Sequence, residues 1–161
     1  MNLKNNKGYV SVDISIAVIV LLILVPTIMG IVFSINHAQN TSDIKTGAVN
    51  IAVNTIEASK TIDLSKSDAD NQVEILNKLS DDVYKGQIDI STTPAVITTN
   101  TAFYKLEVNV TDYKGDNIVK TVKAIVTYKA GNKEESIDLS AVVKWWEELW
   151  NLIKEWQSYH F

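Results

Sequence analysis

From Ile14 to Ile35 the chain runs for twenty-two residues without a charge. Wound as a helix at ~1.5 Å per residue, such a run spans about 33 Å, and the hydrocarbon core of a bilayer is about 30 Å thick. A helix satisfies its own backbone donors and acceptors where water is absent, so the segment predicts a single membrane span. Lys4 and Lys7 precede the run, and the next lysine is Lys45. Positive charge on the near side keeps the N-terminus in the cytosol and places residues 36–161 outside it.

A secretory signal peptide is the competing reading. Its apolar region is shorter, ~7–15 residues, and ends in a small-x-small cleavage site. Nothing after Ile35 reads as such a site. The sharp polar-to-apolar change lies before the run instead, at Gly8 in Lys7-Gly8-Tyr9-Val10-Ser11-Val12-Asp13. Cleavage there removes a leader and leaves the anchor in place. Asp13 then needs explaining, because a carboxylate in an apolar zone costs several kcal/mol unless it is paired. Read by itself, it can sit at the headgroup boundary and cap the helix N-terminus, where negative charge is favoured. Pro26 removes one helical hydrogen bond and clashes with the carbonyl of Leu22, which predicts a kink, and Gly30 weakens the following turn.

The chain has 161 residues, enough for one modest domain plus an anchor. It has no cysteine, which excludes disulfides, thiol nucleophiles and thiolate metal sites. With two histidines, His37 and His160, neither a histidine metal cluster nor a Ser-His-Asp triad is expected. No enzymatic activity, metal or cofactor is implied. All fifteen basic residues are lysines, and beyond residue 35 thirteen of them face eighteen acids, a balance of −5. An acidic body without guanidinium forks is poorly suited to gripping phosphates, so nucleic acid is not an expected partner.

Beyond the apolar run the pattern becomes amphipathic. Ile44, Ala48, Ile51, Thr55, Ala58 and Ile62 recur at steps of four and three, with Val49, Ala52, Val53 and Ile56 widening that face. Asp43, Thr46, Asn50, Asn54, Glu57 and Thr61 lie opposite. One long helix from Tyr9 to about Thr61 accounts for both halves. Ser67 to Asp70 can cap a second helix over roughly 69–84, with Val73, Leu76, Leu79 and Val83 on its apolar side and Lys85-Gly86 ending it. Strand signals follow. Gln87–Ser91 is short and leads to a Thr-rich loop through Pro94. Tyr104–Val110 and Val122–Tyr128 alternate with period two, and Glu134–Leu139 returns as another short strand. Turns at Lys114-Gly115-Asp116-Asn117 and Ala130-Gly131-Asn132-Lys133 join them into an antiparallel meander that the long helix covers.

The last segment stands apart. Trp145, Trp146, Leu149, Trp150, Leu152, Ile153 and Trp156 share one broad helical face, and they include all four tryptophans of the chain. This segment packs on its own domain, lies in a membrane interface, or docks on a partner. Its polar positions carry more acids than lysines, against the basic habit of membrane-surface helices. Trp145, Trp146, Trp150 and Trp156 are thus candidate partner-binding residues. Two Asn-x-Ser/Thr sequons, at Asn40 and Asn109, are possible only as glycosylation sites in a suitable host.

Lys-Gly followed by an aromatic, a carboxylate at the fifth position after the glycine and about twenty apolar residues resembles the class III leader of type IV pilins and pseudopilins. The segment from Gly47 to Glu57 is similar to the same region of minor pilins and of I-type minor pseudopilins. The run Tyr104–Val110, a turn, Lys120–Tyr128, a Gly turn and Ser136–Leu139 is similar to the body of minor pilins. This resemblance implies cleavage between Gly8 and Tyr9 by a prepilin peptidase and commonly methylation of the new N-terminus. It also implies that Asp13, where the family usually has Glu, pairs with the Tyr9 amine of an adjoining subunit, and that Pro26 marks a curved or locally melted stretch in the filament.

The expected class is therefore α+β. Residues 1–8 form a leader, 9–35 a transmembrane or filament-core helix and 36–62 its amphipathic half. Residues 63–143 form the exported body, and 144–161 a Trp-rich amphipathic helix. The expected function is that of a minor pilin or pseudopilin whose partners are the peptidase, other subunits, the assembly platform and the membrane. The alternative is a binding or sensor module on a permanent signal anchor that uses the Trp-rich tail.

Overall fold

The computed structural model describes residues 7–100, 102–114 and 116–144, with side chains from Val12 onward except at 116–118. Two compact units meet at the boundary between Ser42 and Asp43. The fold is α+β. Helix α1 (Lys7–Ser59) is unbroken across that boundary. The rest of the second unit is α2 (Asp68–Asp82) and five strands, β1 (Ile88–Asp89), β2 (Ala95–Thr98), β3 (Phe103–Tyr113), β4 (Asp116–Ala130) and β5 (Lys133–Lys144). The expected C-terminal helix, residues 144–161, lies outside the described residues from Trp145 onward.

The sheet is an antiparallel meander in the order β1-β2-β3-β4-β5. Its long hairpins follow from period-two alternation. Tyr104, Leu106, Val108 and Val110 of β3 pair with Tyr128, Val126, Ala124 and Val122 of β4, and all eight are buried on one face. A two-residue loop, Gly131-Asn132, joins β4 to β5, and Gly131 takes a positive φ of 61° there. Such loops turn with the strand twist when a residue without Cβ strain occupies that conformation.

Three strands are longer than the alternation alone suggests, because ladder pairing carries them past their apolar core positions. β5 continues from Leu139 to Lys144 as its residues pair with β4 up to Val119↔Lys144. β2 begins directly after the loop through Pro94, in a stretch for which the sequence pattern suggests no element. Its four residues pair with β3 from Ala95↔Leu106 to Thr98↔Phe103 and bury Ala95 and Ile97.

In the second unit α1 contributes Ile44, Ala48, Ile51, Ala52, Thr55, Ile56 and Ser59 to the core. Val49 and Val53 do not widen that face; they are exposed. Gly47 allows close approach on the other side, because a Cβ there would overlap the Tyr104 hydroxyl. That hydroxyl donates to the Ile44 carbonyl oxygen at 3.2 Å and ties the helix to β3.

Helix α2 begins as its sequence predicts. Ser67 is the N-cap, its hydroxyl oxygen accepting from the Asp70 N–H, and Asp68 and Asp70 sit in the first turn, where negative charge is favoured. The buried side, however, is Asn71, Ile75 and Leu79, whereas Val73 and Val83 are exposed. Asn71 takes an inward position because its amide donates to the carbonyls of Leu64 and Lys66 at 3.1 and 3.0 Å, closing the loop that precedes the helix. A polar side chain with local backbone partners is stable in the interior, so the inward stripe is rotated from the one that apolarity alone selects.

Candidate processing and assembly segment

Gly8 and Tyr9 lie in the first turn of α1, which begins at Lys7. Asp13 is exposed and falls in the second turn, and the first turn contains no acid. Asp13 therefore does not cap this helix: the N–H groups that a cap satisfies belong to the first turn alone.

Every residue from Val12 to Asn40 is exposed in the chain by itself, including all the large apolar ones. Among the described residues, this helix is long and apolar enough to cross a membrane. The helix continues through Pro26. Pro26 has no N–H for the Leu22 carbonyl, and one residue on, the Thr27 hydroxyl donates to the Ile23 carbonyl at 2.7 Å. Hydroxyl back-bonds of this kind often bend helices. Trp145, Trp146, Trp150 and Trp156 lie outside the described residues.

The body holds polar constellations that pattern reading passed over. Lys120 is buried, its ammonium bonding the Asp68 carboxylate at 2.9 Å and also the Asp112 carboxylate. The hydrogen bonds to Asp112 and then to Asp68 hold its pKa above the ordinary lysine value despite burial. The cluster joins the start of α2 to the far end of the β3–β4 hairpin. Its signal was present in the sequence: Lys120 has the same parity as Val122, Ala124, Val126 and Tyr128, so the alternation that places those side chains inward places the lysine inward too. Asn54, expected on the polar side of α1, donates instead to the Tyr84 hydroxyl at 3.0 Å, and burial raises that phenol's pKa. These contacts hold elements together. Among the described residues no group of three or more His, Asp or Glu is placed to hold a metal ion.

Comparison with protein-family profiles, with characterised proteins and with solved structures finds no match to this chain.

Proposed function

We propose that the chain is a minor pilin or pseudopilin precursor. A prepilin peptidase cuts it after Gly8, and its first helix carries it from the membrane into a type IV pilus-like or secretion filament. The observation that carries this reading is the pairing of two properties on one helix. Residues 14–35 of α1 are apolar and exposed all round, while residues 44–59 are buried on one side in an α+β body. A stem of that kind suits a subunit that exchanges lipid for the stems of its neighbours. Asp13 then meets the α-amine of Tyr9 on an adjoining copy, since an ion pair offsets much of the cost of removing each charge from water. Pro26 gives the stem a point at which to bend. The body stays outside the cytosol, at the cell surface once the filament has formed.

Co-expression with a prepilin peptidase tests the reading directly. The chain should shorten by the mass of residues 1–8, and Gly8→Val should abolish the shift. An unchanged mass would support a permanent anchor carrying a binding or sensor body instead. Asp13→Ala should leave cleavage intact and impair incorporation into filaments, and equal incorporation would remove the pairing role.

A further inference from the structure

We propose that the free edge of β3 beside α2 is a docking groove for an extended basic peptide of a partner protein, which adds to the sheet as a further strand. β2 pairs with β3 from Thr98↔Phe103 only as far as Ala95↔Leu106. β3 itself runs on to Tyr113, and from Glu107 onward its pairing among the described residues is with β4 alone. Alternate residues of that stretch therefore present an N–H and a C=O on the side away from β4. At ~3.3 Å per residue, about 20 Å of strand edge is open in this way.

Where the pairing stops, a cavity begins. The residue before β2 is Pro94, which has no N–H to continue the ladder. Pro94, Thr93 and Thr92 on one side and Glu107, Val108 and Asn109 on the other line a cavity of about 430 Å³ instead. Ligand clefts fall in the range of about 300–1,000 Å³. α2 walls this one with Val73 and Leu76, and Ile90 lines it as well. Val73 and Ile90 are 56% and 40% exposed, so the apolar wall is open to water in the chain by itself. Asn71 holds the inward position on α2, which leaves Val73 turned to the groove.

The chemistry of the walls names the occupant. An open strand edge is satisfied by another strand, whose main chain supplies the affinity and whose alternate side chains supply the specificity. On the core side those side chains meet Val108, Val73 and Leu76, so they are apolar. On the other face of the sheet the charged lining residue is Glu107. Its carboxylate accepts from the Asn109 amide at 3.0 Å, while the lysines beside it on that face, Lys105 and Lys123, bond Glu134 and Asp138 instead. A lysine or arginine on the incoming strand provides the counter-charge. The occupant is thus a short extended segment in which apolar and basic residues alternate. The groove lies wholly in the body, so this inference stands whether or not the leader is cut.

Full-length protein in nanodiscs, titrated with an acetylated and amidated hexapeptide alternating valine and lysine, provides the test. Every other amide between Glu107 and Tyr113 should exchange fast in the free protein and several-fold more slowly with peptide. Two versions of the peptide, N-methylated at the valine or at the lysine nitrogens, keep charge and side chains but each lose the donors of one edge. At least one of them should fail to bind. Glu107→Gln and Val73→Ser, both at exposed side chains, should each weaken binding several-fold and leave the denaturant midpoint in place. No slowing at millimolar peptide, binding by both methylated versions, or slowing along β5 in place of β3 would overturn the proposal. Slow exchange of those β3 amides in the free protein would overturn it too: if lost on dilution, a second copy fills the edge, and if not, the chain fills it itself.

Discussion

Between Val12 and Asn40, α1 exposes every side chain, whereas between Ile44 and Ser59 the same helix buries seven and leaves the others half-buried or exposed. Both stretches are rich in Ile, Val and Ala. What separates them is polarity of pattern. The first has no polar stripe, so its surroundings must be apolar on all sides. The second carries Asn50 and Glu57 away from a narrow apolar face, so its surroundings are a sheet on one side and solvent on the other. A hydrophobic residue therefore contributes to the stability of the α+β body only in the second stretch, and substitutions repeated in both halves expose the difference.

The largest contrast is between paired truncations. Ile51 is 2% exposed, and Ile51→Ala should destabilise the body by about 2–5 kcal/mol, read as a lower denaturant midpoint. Ile23→Ala, made where the side chain touches nothing of the body, should leave that midpoint unchanged.

The two glycines of α1 form a second pair. Gly47→Ala drives a methyl into Tyr104, whose ring is fixed by its bond to Ile44. It should cost about 1–3 kcal/mol in the same assay. Gly30 meets nothing within 4 Å. Gly30→Ala should leave the body's stability alone and firm the stem by about 0.5–1 kcal/mol, seen as slower amide exchange around residue 30.

A smaller effect concerns pH. The Lys120 pKa is raised in the folded protein by Asp112 and then Asp68, so the native state keeps its proton where the unfolded chain, near the usual value of about 10.4, has released it. That stabilisation is complete below about pH 10 and disappears as pH climbs through the folded value. Both carboxylates are more than a third exposed, so solvent screening limits the loss to about 1 kcal/mol. Tyr84 and Tyr128 have raised pKa values through burial and lose stability in the same direction. Lys120→Met should therefore flatten, without abolishing, the alkaline decline in an unfolding series at pH 8 to 11.

The smallest expected change is at the α1–α2 contact. Tyr84→Phe removes the acceptor of the Asn54 amide, and a half-buried neutral hydrogen bond contributes about 1 kcal/mol or less.

Much of this architecture was legible. The uncharged run, the four-three spacing from Ile44, the Ser67 cap and the alternation on β3 and β4 each express a local rule, and each element stands where its rule put it. The misplacements share a cause. β2 is four residues long and exists through pairing with β3, which no local pattern announces. Asn71 displaced Val73 as an inward residue because its partners are backbone carbonyls seven and five positions earlier. Lys120 was legible by parity and hidden by its charge, since its two aspartates come from positions 52 and 8 residues away. In the stem, Asp13 is exposed, and the amine proposed as its mate would belong to another copy, outside what a single chain contains.

Single-cysteine scanning along α1 with a membrane-impermeant maleimide tests most directly whether one helix serves two solvents. The native chain supplies no competing thiol. In intact membranes, positions 14–35 should be unreactive all the way round, and positions 44–59 should alternate with a helical period, reactive at Asn50 and Glu57 and silent at Ala48 and Ala52. A helical alternation of reactivity within residues 14–35 would contradict a lipid-facing stem and would mean that this stretch is buried against protein on one side.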